Sequence, residues 1–342
     1  MFDVKDMTID ELQDLVLGLG EDRYRASQIF GWVYQKGATS FDEMTNLSKK
    51  LKEKLKKVCY ISQLHQVKEE NSNDGTRKFL IKLEDGCQIE TVLIPESNRL
   101  TLCISTQVGC AMGCKFCITG KLGLIRNLKA SEILNQICLI RDSLTEKQGI
   151  SNLVLMGMGE PLANYKNTIK ALRIINDPHG LQFSNRKVTI STAGLVPEME
   201  RLGSEIEVNL AVSLNATEDD TRDYLMPVNR RYPLNMLLNA CRKFPLLPRK
   251  RITFEYVLIK GINDDIDDAK RLAKILRGIP CKINIIPFNE HHTSDFKRPD
   301  NEAIKNFQQV LLDLNYTSII RASRGSDILA ACGQLGGSLL LH

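Results

Sequence analysis

Long apolar runs are missing from this 342-residue sequence. None approaches the roughly 18 residues that a membrane-spanning helix requires. The first residues, Met1-Phe2-Asp3-Val4-Lys5-Asp6, lack the basic-then-apolar order of a signal peptide, so the expected location is cytoplasmic, with no membrane partner. A strong charge of one sign is also absent. Lys and Arg number 46 against 41 Asp and Glu, a net charge of +5. That balance is compatible with an acidic partner such as RNA but too small to argue for one. Internal repeats, low-complexity tracts and long flexible linkers are lacking too. Histidine is scarce, with residues only at 65, 179, 291, 292 and 342. Stable disulfides do not suit a reducing cytosol, so the ten cysteines are left for metal binding, catalysis or packing.

The chain is long enough for one large domain with appendages or for two ordinary domains. From Thr8 to about Cys59 the pattern is helical, with Thr8-x-x-Glu11 and Ser40-x-x-Glu43 reading as capping boxes. The run Ser48 to Lys57 sets Leu51 and Leu55 on one face among six lysines, which suits either a phosphate backbone or water. Residues 76–95 alternate like a hairpin turning at Asp85-Gly86. Seven β-rich runs follow: TLCIST (101–106), NLVLMGMGE (152–160), KVTISTAG (187–194), VNLAVSLN (208–215), ITFEYVLIKG (252–261), CKINIIPFN (281–289) and TSIIRASRG (317–325). Helical periodicity occupies Ser131 to Asp142, Asn164 to Ile175, Asp267 to Arg277 and Glu302 to Leu314.

Repeated strand-helix units imply parallel strands with right-handed crossovers. Small or polar residues gather at the ends of nearly all these strands, as barrel folds place their chemistry there. The expected fold class is α/β, a partial (βα) barrel. Its parts are a helical accessory domain and candidate RNA-binding unit (1–60), a hairpin linker (61–100), the barrel core (101–290) and an extension (291–342).

Cys110-x3-Cys114-x2-Cys117 lies just past the first core strand, in a loop with Gly109 and Gly113 that allows close wrapping round a metal. Zinc usually takes a fourth protein ligand, and no second pair at matched spacing is near. A [4Fe-4S] cubane normally takes four cysteines, so three leave one iron open. The spacing, with Phe116 before the last cysteine, resembles the signature of radical S-adenosylmethionine (SAM) enzymes. There the open iron is chelated by SAM, which one electron cleaves to a 5'-deoxyadenosyl radical. This implies one [4Fe-4S] cluster, bound by Cys110, Cys114 and Cys117, and a barrel of radical SAM type.

The resemblance extends from Tyr24 to Leu340. CISTQVGCAMGCKFC, LMGMGEPLANY, VTISTAGLVP, SLNATEDDTRDYLMPVNRRYPL, KINIIPFN and ILAACGQL resemble the RlmN family, which methylates adenine C2 in 23S ribosomal RNA and in transfer RNA. The related Cfr proteins methylate C8 of the ribosomal adenine, but INIIPFNEHHTSDFKRPD is more similar to RlmN. The resemblance implies two SAM per turnover. One methylates Cys332 by polar displacement; the other generates the radical that takes a hydrogen from that methyl group, and the methylene radical adds to C2. It also implies Cys103 as the resolving thiol, Glu90 as the acid/base residue and an electron donor such as flavodoxin. Gly159 and Glu160 would meet the SAM amino group, and Ser191, Ser213, Leu214, Asn215 and Asn289 the ribose and adenine ends. Several family members carry histidine at position 215.

Read without the family, Cys103 and Cys332 are equally inert buried thiols, and Glu90 an outward strand carboxylate. The strand-end Ser and Asn residues then serve local turns. Arg230-Arg231 and Arg249-Lys250-Arg251 are candidate phosphate contacts or solvated surface, and Cys59, Cys87, Cys138, Cys241 and Cys281 suit packing. A class apart stays open: a metal-stabilised, RNA-binding ribosome assembly factor without catalysis.

Overall fold

Thr8 caps the first helix, α1 (Ile9–Gly18). Its side chain accepts the Glu11 amide while the Glu11 carboxylate takes the Thr8 amide. α2 (Tyr24–Phe30) and α3 (Lys49–Val58) complete a helical unit around the buried residues Leu12, Val16, Ile29, Phe30, Leu51 and Leu55. The expected box at Ser40 and Glu43 caps only a 3-10 turn, Phe41–Glu43. The unit docks on the rest of the chain through polar contacts. Lys5 Nζ donates to Asn135 Oδ1 at 2.6 Å, and Asp6 accepts the Ser131 amide at 3.0 Å.

The computed structural model describes residues 1–145, 149–246 and 248–337. The extension expected at 291–342 is therefore described as far as 337, and Leu340 and His342 lie outside the described residues. The main sheet has ten strands. β1 (His65–Asn71), β2 (Arg77–Lys82) and β3 (Gln88–Glu96) pair antiparallel. The hairpin read from the sequence is β2 and β3. β1 escaped that reading because an exposed edge strand, HQVKEEN, needs no apolar alternation.

β4 (Arg99–Cys103) pairs antiparallel with β3 and opens a parallel array. The array continues through β5 (Asn152–Leu155), β6 (Val188–Thr192), β7 (Asn209–Ser213), β8 (Ile252–Leu258), β9 (Cys281–Pro287) and β10 (Ser318–Ile320). All seven β-rich runs of the sequence became these strands, side by side in chain order, with six parallel pairings. Helices α4 (Ala130–Asp142), α5 (Tyr165–Asn176), α6 (Val196–Glu205), α7 (Asp219–Leu225), α8 (Leu234–Lys243), α9 (Ile266–Ile275) and α10 (Asn301–Asp313) form the connections. The result is a partial barrel.

Strand alternation decides what faces the lumen. On β8, Phe254, Tyr256 and Leu258 are fully buried, and Tyr256 stacks on Phe307 of α10 at 5.4 Å between ring centroids. Glu255 and Val257 therefore point inward, where both line a central cavity.

After β10 the chain runs back as an irregular strap, 321–337, towards the antiparallel strands. Asp327 accepts the Ser72 hydroxyl at 2.6 Å and the Asn73 amide at 3.2 Å. Asp74 takes the Gly325 amide at 3.0 Å, and Lys78 Nζ donates to the Ile328 carbonyl at 2.6 Å. The strap thus ties the barrel's free side to β2 and the turn before it.

Candidate active site

The loop after β4 carries the three spaced cysteines. Its path requires glycine at 109, where φ is +76° and a Cβ would fall 1.8 Å from the Gly123 carbonyl oxygen. The same carbonyl accepts the Cys110 amide at 2.8 Å, and Cys117 donates its amide to Cys114 O at 3.1 Å. Burial pushes the Cys110 thiol up to about 12. Cys114 and Cys117 are raised by burial as well, and the other two cysteines' charges raise Cys114 further.

The three thiols are thus neighbours, and as free groups they resist ionisation. A positive metal centre reverses that preference, so the donor set fits an iron-sulfur cluster. Among the described residues, no three His, Cys, Asp or Glu side chains converge as ligands of a single ion. A cubane held by three cysteines spreads them over three irons and needs no such convergence.

One cavity collects most of the site. Its wall includes Cys110, Cys114 and Cys117, the strand-end residues Gly159, Glu160, Ser191, Ser213, Asn215 and Asn289, and Cys332 from the strap. Gly159, at φ +102°, fits only without a side chain, since a Cβ would meet Gln107 at 2.5 Å. Burial raises the Glu160 carboxyl to about 7, although amides of Ala193 and Leu162 donate to it at 2.7 and 3.0 Å. Asn215 lies at φ +60°, accepts the Val257 amide at 2.8 Å and donates to Met226 Sδ. Asn289 donates to the Cys332 carbonyl at 3.0 Å and accepts the Ser323 hydroxyl, so it anchors the strap.

Three expected site residues lie off this wall. The Leu214 side chain is buried, its amide goes to Glu255 O at 2.9 Å and its carbonyl to Arg222 Nε at 3.0 Å. Glu90 is fully buried rather than an outward carboxylate. It receives the Gly336 amide at 2.6 Å and lies 3.5 Å from Lys78 Nζ. Cys103 ends β4, where burial, then charge on Cys332, raises its thiol. The two sulfurs are thus electrostatic neighbours. Burial raises Cys332 itself to about 11. Cys332 is solvent-accessible yet surrounded by protein, because its side chain opens onto the cavity.

Two residues here were not anticipated. Glu255 lines the cavity and accepts the Ser191 hydroxyl at 3.0 Å; the lone carboxylate in ITFEYVL was its signal. Arg222, fully buried, donates to the carbonyls of Ala193, Ser213 and Leu214 and to Asn229 Oδ1 at 2.8–3.1 Å. It ties together the ends of β6 and β7, and no sequence signal marked it.

Residues 2–61 match the family model of the ribosomal RNA large subunit methyltransferase N-terminal domain, and residues 104–273 that of the radical SAM superfamily. A dual-specificity RNA methyltransferase RlmN of Geobacter sulfurreducens is 58% identical over 339 residues, covering 99% of this chain and 93% of that protein. The protein of that name in Geotalea uraniireducens is 55% identical over 98% of this chain and 97% of its own. The crystal structure of a radical SAM methyltransferase from Sphaerobacter thermophilus superposes with a TM-score of 0.92 at 44% identity, covering 98% of this chain and 99% of that one. With near full-length identity above one half and a cavity built on three loop cysteines, the chain belongs to the RlmN family of radical SAM RNA methyltransferases.

Proposed function

We propose that this enzyme makes 2-methyladenosine in 23S ribosomal RNA and in transfer RNA, using Cys332 as the methyl carrier. The observation that carries the reading is that Cys332 of the strap lines the same cavity as the three loop cysteines and lies within electrostatic range of Cys103 at the end of β4. Adenine C2 is electron-poor and a weak nucleophile, so a carrier that delivers a carbon radical suits it better than direct displacement.

Cys110, Cys114 and Cys117 would hold the [4Fe-4S] cluster, and Gly159, Glu160, Ser191, Ser213, Asn215 and Asn289 would surround SAM. When bound, these groups supply the electron, the methyl group and the hydrogen-abstracting radical, with two SAM used per turnover. Cys332 presents its sulfur to the cavity and holds the one-carbon unit. The Cys103 thiolate would then attack the Cys332 sulfur: the disulfide forms as the bond from that sulfur to the one-carbon unit breaks, and the released carbon keeps the electron pair and takes up a proton to become the methyl group on the freed base. Glu90, buried beneath the strap, would take the proton from the modified carbon once the strap segment at Gly336 shifts. Leu214 would act through the strand end it shapes.

We further propose flavodoxin as the electron donor and the cytoplasm, where these RNAs reside, as the location. We read residues 1–60 as a helical accessory domain, 61–100 as the antiparallel connector, 101–290 as the barrel core and 291–342 as the extension bearing the carrier. The match of the N-terminal family model to residues 2–61 supports the first boundary.

The test is an anaerobic assay with methyl-labelled SAM and protein-free ribosomal RNA, followed by nucleoside analysis. 2-Methyladenosine is expected; 8-methyladenosine alone overturns the reading.

A further inference from the structure

Basic residues cluster at the amino-terminal mouth of the barrel, away from the cluster loop. Arg99 begins β4, Arg186 and Lys187 precede β6, Lys250 and Arg251 precede β8, and Lys282 is the second residue of β9. Lys282 is half-buried and its side chain, among the described residues, makes no hydrogen bond or ion pair. Burial disfavours its charge, and Arg251, Arg321, Arg99 and Lys250 disfavour it further. The nearby acids are Glu96, Glu207 and Glu255; Glu207 lines the groove beside Arg186 and Lys250 and accepts from Asn185 Nδ2 at 3.3 Å. Glu96 is taken by Arg99 and, at 3.7 Å, by Arg321, while Glu255 lies deeper in the lumen within electrostatic range of Lys282 and Arg321. Holding like charges together at a half-buried site opposes folding, so the arrangement calls for an anion.

Two further observations say which anion. Beside Arg186 and Lys250 runs a groove of about 720 Å³ whose wall includes Phe183 and Phe244, cations and aromatic rings on one surface as suits unpaired nucleotides. Lys282 pairs in register with Thr253, and Glu255 stands two residues further along the same face, about 7 Å deeper by strand rise. Glu255 shares the cavity wall with Cys332. The lumen-facing row from Lys282 past Glu255 thus leads from the mouth towards the cavity that Cys332 lines. On α3, by contrast, Lys54 and Lys56 are already paired with acids, Lys52 donates to the Asp42 carbonyl, and Lys49, Lys50 and Lys57 stand exposed to solvent and off the aromatic groove.

We propose that the amino-terminal mouth of the barrel is the phosphodiester-binding track that grips the RNA strand flanking the target adenine, through Arg186, Lys250, Arg251 and Lys282. This rests on the RNA methyltransferase reading above. The probe is an end-labelled, unmodified transfer RNA transcript, titrated with holoenzyme across a salt series without reductant, so that binding is read apart from turnover. Arg251→Ala and Lys282→Ala should each weaken binding about threefold to tenfold and lower the slope of log affinity against log salt by about 0.7–0.9. Phe244→Ala should weaken binding with the slope unchanged, and Lys56→Ala should change neither. Unchanged melting temperature and cluster absorbance establish that the variants are folded. A folded Lys282→Ala and Arg251→Ala pair with wild-type affinity and slope overturns the track, as does a loss confined to Lys56→Ala. If the wild-type holoenzyme itself fails to bind the RNA, the proposed function falls instead.

Discussion

Cys103 at the end of β4 and Cys332 in the strap stand close enough that charge on Cys332 raises the Cys103 thiol. Both are kept as thiols at rest, chiefly by burial. A pair so suppressed is guarded against early oxidation, because thiol-disulfide chemistry needs the thiolate.

Cys332→Ala should retain the cluster, because all three loop cysteines remain, but should acquire no protein methyl group after incubation with methyl-labelled SAM. Mass spectrometry of the digested protein checks this; label on any other residue would sink the carrier assignment. Cys103→Ala should still be methylated at Cys332 but should retain RNA covalently after reaction, seen as a denaturant-stable adduct on a gel.

Gly109→Ala places a methyl group against the Gly123 carbonyl at an unfavourable φ. The strain is on the order of 1–3 kcal/mol, and the loop must shift where it carries Cys110. Iron content per chain should fall several-fold while far-UV circular dichroism stays near wild type.

Arg222→Met removes four donated hydrogen bonds inside the protein and leaves the carbonyls of Ala193, Ser213 and Leu214 unsatisfied. The expected loss is about 3–5 kcal/mol in chemical denaturation. Arg222→Lys keeps the charge but not the planar fork and should recover less than half of it.

Acid should loosen the strap through Asp74. Burial pushes its carboxyl up, but hydrogen bonds from Thr76, Gly325 and Ser72 outweigh this and hold it at about 2. A folded value below the ordinary 3.8 contributes stability above that pH, lost as pH falls towards 2. Pepsin cleavage within 326–337 should accelerate between about pH 4 and pH 2 in the wild type. Asp74→Ala should be cleaved rapidly across the whole range.

Much of the barrel was legible because each core strand is a short apolar run ending in small residues, and the three cysteines were legible because they are local in sequence. β1 was not, since an exposed edge leaves no apolar period. The nearness of Cys103 and Cys332 came from family resemblance, and no spacing rule predicts it. Glu255 and Arg222 were missed for another reason. Whether a strand carboxylate faces lumen or helices depends on register, and whether an arginine is buried depends on which carbonyls converge on it.

The strap follows every barrel strand in the chain, and it supplies both a side of the cavity wall and the thiol of Cys332 that opens onto it. During synthesis the seam therefore stays open until Cys332 itself has been made. The loop cysteines are open on that side until the strap's contacts with Asp74, Lys78 and Glu90 form. Closure order is thus written into the polarity of the chain: the strap's sulfur arrives after every barrel strand, onto a wall already built.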